Sequence, residues 1–184
     1  FGIVQGSVYP ALRARCAREL ASLKLPGYAI GGLAVGEPRR AMFEVIETTL
    51  PHLPTTRPRY LMGVGLPCDL VEAVEAGIDL FDCVIPTRNA RNGTAFTSRG
   101  RVRLKNASLA EDYSPLDEAC PCKTCRHYTR AYLRHLFQAD ELLGLHLATY
   151  HNVYFFLQLM RDMRQAIIAG CFADWQAAFL ATYR

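Results

Sequence analysis

Four short apolar runs, each followed by an amphipathic segment, fill the first half of the chain and constrain its fold more than any other feature. The runs at residues 1–4, 28–33, 60–64 and 80–85 are too short for helices. They do not alternate apolar with polar residues, the pattern of parallel strands buried on both faces. Between them the spacing predicts helices. Residues 9–24 place Leu12, Cys16, Leu20 and Leu23 at helical intervals. A second helix begins near Pro38 and carries Met42, Phe43, Val45 and Ile46. A third spans 67–76 and stops at Gly77, a C-terminal capping residue.

Repeated strand–helix units imply an α/β fold, either a doubly wound sheet or a (β/α)8 TIM barrel. No G-x-G-x-x-G follows a strand, which weakens the dinucleotide-binding version. A barrel needs eight units and about 250 residues. Four units would then be half of one. The chain starts on Phe1-Gly2-Ile3-Val4 rather than on Met, which fits a segment cut from something longer.

After residue 87 the period changes. Gly93 and Gly100 interrupt it, and Arg99, Arg101, Arg103 and Lys105 fall at strand spacing on one face. That face is either a solvated hairpin surface or a phosphate-contacting strip. Residues 126–143 and 151–169 read as helices, the second with Val153, Leu157, Met160 and Ile167 on one face and Gly170 as its stop. Phe172, Trp175 and Phe179 make a last amphipathic segment.

Cys120, Cys122 and Cys125 form a C-x-C-x2-C cluster, and His151 follows. Three thiolates on a tight turn plus an imidazole from a nearby helix make a tetrahedral zinc set. With four protein ligands the site has no open position, so its zinc is structural. His127 competes as fourth ligand, but it lies so close to Cys125 that the chelate would be strained, and His151 is preferred. The chain has 7 cysteines, an odd number. Together with the lack of a secretory leader, this favours metal ligation in a reducing cytoplasm over disulfides. Cys16, Cys68, Cys83 and Cys171 read as small buried hydrophobes. Hydrophobic residues make up 51% and charged ones 21%, which describes a soluble globular chain without a membrane span, and the net charge of +4 permits a nucleic-acid partner.

Function in an α/β barrel collects where strands end. Gln5-Gly6, Gly31 to Glu37, and Met62-Gly63-Val64-Gly65 stand at such ends, and Asp82 sits inside the fourth apolar run. Tight turns alone would explain the glycines. An Asp between Phe81 and Cys83 is costly unless it has a partner or a task, so Asp82 is either a helix cap, a buried ion pair or a catalytic carboxylate.

Phe1-Gly2-Ile3-Val4-Gln5-Gly6-Ser7, Gly31 to Glu37, Tyr60-Leu61-Met62-Gly63-Val64-Gly65, Phe81 to Arg88, Arg91-Asn92-Gly93 and the Cys/His pattern resemble tRNA-guanine transglycosylase of the bacterial type, in queuosine biosynthesis. The resemblance covers essentially the whole chain and corresponds to the C-terminal half of that enzyme. It implies a TIM barrel half with a zinc-binding insertion: residues 1–87 as four strand–helix units, 88–150 as hairpin and zinc insertion, 151–184 as helices completing the zinc site and barrel. These enzymes replace the wobble guanine of certain tRNA anticodons with a 7-deazaguanine, without an organic cofactor.

Residue by residue, the resemblance implies that Asp82 is the nucleophile toward the ribose anomeric carbon, by the double displacement that retaining glycosidases use. Gln5 and the backbones of Gly32 and Leu33 resemble groups that bond the base, and Met62 the side chain that stacks on it. Glu37 resembles an acceptor that helps distinguish the aminomethyl base from guanine. Arg88 and Arg91 resemble contacts to the tRNA anticodon loop. The Ala34-Val35 pair is the bacterial form, so 7-aminomethyl-7-deazaguanine is the expected base. The metal ligands implied are Cys120, Cys122, Cys125 and His151, and a cytoplasmic homodimer is implied as well. Apolar interface candidates are Tyr132, Leu133 and Leu136. The family's acid–base Asp would lie upstream of Phe1, so the isolated segment is expected to be inactive.

Three other readings compete. A non-catalytic tRNA-binding homologue or partner subunit would typically have lost Asp82, Gln5 or Met62, and all are present. The archaeal branch usually carries extra RNA-binding domains. A purely structural zinc module leaves Asp82 without a task.

Overall fold

The computed structural model describes residues 1–183. The chain divides into two compact units, Phe1–Cys83 and Val84–Arg184. In the first, β1 (Gly2–Val4), β2 (Tyr28–Ile30), β3 (Arg59–Leu61) and β4 (Leu80–Phe81) alternate with α1 (Pro10–Ser22), α2 (Arg39–Thr49) and α3 (Pro67–Ala76), and a 3₁₀ turn (Leu50–His52) follows α2. The strands form one parallel sheet in the order β1-β2-β3-β4. The order never reverses across these four strands, so the sheet has no switch point of the doubly wound kind and is consistent with part of a barrel wall.

Parallel register sorts the side chains into rows. Val4, Ile30, Leu61 and Phe81 share the face toward the helices. Val4, Ile30 and Leu61 are fully buried there, Ile30 and Leu61 with Met42, Val45, Ile46, Ala73 and Ile78. Burying each such Ile or Leu contributes about 1.5–3 kcal/mol. The opposite row, Ile3-Ala29-Tyr60-Leu80, was expected to be buried too. Within the described residues it is open at its two outer strands, where Ile3 is 43% and Leu80 45% exposed, while Ala29 between them is buried. The first helix also departs from expectation. Arg13 and Ala17 are its buried residues, while Leu12 is 50% and Leu23 63% exposed.

The fourth run ends as a strand at Phe81, so Asp82 lies just beyond the strand rather than inside it. Its remainder turns into α4 (Ile85–Arg91), the first element of the second unit, with Pro86 in its first turn. Proline fits there because it lacks the N–H that a first turn leaves unbonded. β5 (Thr94–Thr97) and β6 (Gly100–Arg103) make an antiparallel hairpin. A 3₁₀ turn (Ala107–Leu109), α5 (Lys123–His127), α6 (Arg130–Gln138), α7 (Leu142–Ile168) and α8 (Phe172–Thr182) follow.

The single helix expected over 126–143 is therefore two. Thr129 breaks it, its hydroxyl accepting the Tyr132 N–H as an N-cap and its backbone bridging to Pro115. The helix expected from His151 begins nine residues earlier, at Leu142. Gly144 obscured that start, since glycine is a poor helix former. It is there for packing: a Cβ at this position would come within 3.0 Å of Leu136 Cβ. Leu133 and Leu136 belong to the core of this unit with Ala90, Leu104, Leu116 and Leu147, so of the three interface candidates only Tyr132, 40% exposed, reaches the surface. Among the described residues no helix is long and apolar enough to cross a membrane.

Candidate active site and metal centre

Because the four strands are parallel, their C-terminal ends share one sheet edge, and continuing the open row one step brings Gln5, Gly31, Met62 and Asp82 onto the same face. Side chains two residues apart on a strand share a face, so this follows from register alone. The Gly31 N–H donates to Val4 O at 3.1 Å and the Met62 N–H to Ile30 O at 3.4 Å, extending the ladder past the assigned strands.

The Gln5 amide lies against Gly31-Gly32. A Cβ on Gly31 would stand 2.8 Å from Gln5 Nε2, and one on Gly32 2.9 Å from Gln5 Oε1. Any larger residue would displace that amide. Leu33 buries its side chain, whereas Val35 is 82% exposed on the loop that follows. Glu37 closes this loop: its carboxylate accepts the Ala34 N–H and, at 3.1 Å, the Val35 N–H. Burial alone would raise its pKa. The N–H donors of Ala34, Glu37, Val35 and Gly36 outweigh that and hold it below the ordinary Glu value. Ala34 sits at φ +60, a conformation costly for a residue with a Cβ, and these bonds help hold it.

Asp82 is exposed at the end of β4. The Tyr60 hydroxyl donates to its Oδ1 at 2.5 Å and the Gly63 N–H to the same oxygen at 3.1 Å. The bond to Asp82, with burial second, raises the Tyr60 pKa and keeps the phenol protonated as a donor. Oδ2 takes no hydrogen bond among the described residues. Asp82 is thus a partnered carboxylate with one oxygen committed, and among the described residues it is neither a helix cap nor part of an ion pair.

Arg88 and Arg91 lie in the second unit, three residues apart on α4 and exposed. The helix is fixed by Asn152 of α7, fully buried, whose Nδ2 donates to Pro86 O at 2.9 Å and Thr94 O at 3.0 Å while its Oδ1 accepts the Phe96 N–H at 2.9 Å.

The neighbouring residue on α7, His151, is also fully buried. Its Nδ1 lies 3.8, 3.5 and 3.3 Å from the sulfurs of Cys120, Cys122 and Cys125, and all four ligand atoms fall within 4.8 Å of one another. A tetrahedral zinc, with bonds of about 2.3 Å to sulfur and 2.0 Å to nitrogen, separates S from N by roughly 3.5 Å. The donor set therefore fits the ion in both spacing and chemistry. His151 Nε2 is 2.7 Å from Phe96 O. That carbonyl can only accept, so Nε2 carries the proton and Nδ1 presents its lone pair to the metal position. The bonds from Cys120 and then Cys125 hold the Cys122 thiol far below its usual range, toward the thiolate a metal needs. His127 is exposed and outside the cluster.

Comparison with known proteins identifies the family. The family model described as "Queuine tRNA-ribosyltransferase" matches residues 1–184. The chain belongs to the queuine tRNA-ribosyltransferase family. It is 56% identical over 183 residues to the queuine tRNA-ribosyltransferase of Caldanaerobacter subterraneus subsp. tengcongensis, covering 100% of this chain and 49% of the relative. The corresponding protein of Geobacillus kaustophilus is 56% identical, with 100% and 48% covered, and that of Streptococcus agalactiae serotype V 54% identical, with 100% and 48%. The chain spans about half the length of the curated relatives it matches. The family resemblance drawn from the strand-end motifs and the Cys/His pattern is borne out.

Two structural contributors escaped the sequence reading. Tyr60 belongs to the Tyr60-to-Gly65 motif, and its alternation with Met62 at the end of β3 is the signal that puts it on the same face. Arg13, the buried arginine of α1, carried none, since charged residues on an amphipathic helix usually face water.

Proposed function

We propose that the chain is the C-terminal half of a TIM-barrel tRNA-guanine transglycosylase and supplies its nucleophile, part of its base pocket and its structural zinc site. The observation that carries this reading is Asp82, held by Tyr60 and Gly63 at the sheet edge that Gln5, Gly31-Gly32 and Met62 share, in a chain of this family.

In this reading Asp82 Oδ2 attacks C1′ of the wobble ribose. The C1′–O bond forms as the C1′–N9 bond to guanine breaks, and guanine leaves after gaining a proton. A deprotonated 7-aminomethyl-7-deazaguanine then attacks C1′ and restores the carboxylate. Gln5 and the Gly32 and Leu33 backbones hold the base, Met62 stacks on it, and Glu37 with Val35 sets which base enters. Arg88 and Arg91 meet the anticodon loop, where an unstacked base is accessible. The acid that serves guanine is not assigned among these residues, and we read the 184 residues alone as inactive. Zinc, when bound by Cys120, Cys122, Cys125 and His151, supplies rigidity rather than a reactive position. A cytoplasmic homodimer completes the reading. Tyr132, stacked on Tyr128 with centroids 5.6 Å apart, is the surface it offers a second copy.

The test is exchange of labelled guanine into tRNA by the complete polypeptide and its Asp82→Asn variant. Loss of exchange with retained tRNA affinity is expected. Exchange at the parent rate by the variant would refute the assignment.

A further inference from the structure

Arg13 is fully buried in α1, yet among the described residues none of its hydrogen bonds or ion pairs is to a carboxylate. Its Nε donates to Ser7 O at 2.7 Å, its Nη1 to Gly31 O at 2.7 Å and Val4 O at 3.1 Å, and its Nη2 to Gly32 O at 3.4 Å. A buried guanidinium is costly unless its donors are satisfied, and here they are spent on main-chain carbonyls at the ends of two strands. A hydrophobic residue would fill the same space more cheaply if packing were the only demand.

The carbonyls it holds flank the base-binding groups assigned above. Gln5 lies between Val4 and Ser7, and Gly32 follows Gly31. A trans peptide points its C=O and N–H in opposite directions. Holding the Gly31 carbonyl on Arg13 therefore turns the Gly32 N–H away from α1, and holding the Gly32 carbonyl does the same to the Leu33 N–H. On the far side of the loop the Glu37 carboxylate draws in the Ala34 and Val35 N–H groups. The segment from Gly31 to Glu37 is stretched between a cation that takes its carbonyls and an anion that takes its amides.

We propose that Arg13 is a positioning residue for base recognition: by pinning Gly31 O and Gly32 O it aims the Gly32 and Leu33 amides, and sets the backbone beneath Gln5, so that the incoming base meets preoriented donors. This rests on the base-exchange reading above. Lysine keeps the charge but has no planar fork to span carbonyls from two strands, so Arg13→Lys is not conservative here.

The experiment measures exchange kinetics of Arg13→Lys and Arg13→Met in the complete polypeptide, with guanine and with 7-aminomethyl-7-deazaguanine, and separately the KM for tRNA. The expected result is a rise in KM for base of about 10- to 100-fold, the scale of a small misplacement of binding groups, with the KM for tRNA unchanged. A purely structural role would lower the active fraction, and so the apparent kcat, while leaving KM for base as in the parent. That result, or insolubility of both variants, would overturn the proposal. A parent protein that exchanges no base would instead overturn the base-exchange reading itself.

Discussion

The Tyr60 hydroxyl, on β3, donates at 2.5 Å to Oδ1 of Asp82, which lies just past the end of the neighbouring β4. The bond leaves Oδ2 without a partner among the described residues and fixes its direction. Replacing Tyr60 by Phe removes the donor and leaves the ring. Because the pair is exposed, the loss is on the order of 0.5–1.5 kcal/mol, about a twofold to 13-fold fall in kcat/KM for exchange, with little change in melting temperature. Steady-state kinetics of the complete polypeptide check this.

Asn152 satisfies three main-chain groups from α4 and β5, the Phe96 N–H buried and the Pro86 and Thr94 carbonyls half-buried. Asn152→Ala leaves the Phe96 N–H and the Pro86 and Thr94 carbonyls without that partner. The expected cost is about 2–4 kcal/mol, more than a typical surface change, because an unmet buried polar group loses its full solvation. Urea unfolding followed by circular dichroism measures it.

The metal centre predicts a linked loss. Cys122→Ala removes a buried ligand and should bring zinc content from about one ion per chain to near zero, with a lowered melting temperature that a chelator reproduces in the parent. Elemental analysis and thermal melts give the two readouts. Full zinc retention by the variant would count against the four-ligand set.

Glu37 gives a pH signature. Its folded pKa lies below the unfolded value, so its contribution to the loop is complete above about pH 4.3, the ordinary Glu pKa, and is lost as pH falls through the lower folded value. The Ala34 and Val35 amide resonances should therefore titrate with a midpoint below about 4.3. A midpoint at or above the ordinary value would mean that the carboxylate does not hold those amides in solution.

Val35 tests the choice of base. It is 82% exposed on the loop closed by Glu37. Val35→Gly should raise the relative kcat/KM for queuine over 7-aminomethyl-7-deazaguanine by about tenfold or more, since relieving one pocket side chain is worth about 1–3 kcal/mol. Equal use of both bases by the parent would contradict the role given to this side chain.

Much of the fold was legible because local patterns agreed with it. Met42, Val45 and Ile46 are the buried face of α2, and Pro67–Ala76 with Gly77 after it is α3 as read. The Cys/His cluster was legible because zinc demands a particular donor set, which spacing alone can display. What was missed depends on partners distant in sequence. Arg13 is buried only because carbonyl ends of two strands converge on it, and Leu12, its apolar neighbour, faces out instead. Cys83-Val84-Ile85 prolonged the apolar run of the fourth strand, yet Pro86 starts a helix there. The long helix through His151 was shortened in the reading by Gly144, which is there for the close contact with α6.

The most direct test of the nucleophile assignment is to trap the intermediate. The complete polypeptide is incubated with substrate tRNA without incoming base, denatured, and digested with nuclease and protease, and the ribosylated peptide is located by mass spectrometry. The account predicts a single adduct on Asp82. An adduct on another carboxylate, or efficient exchange with no adduct, would contradict it.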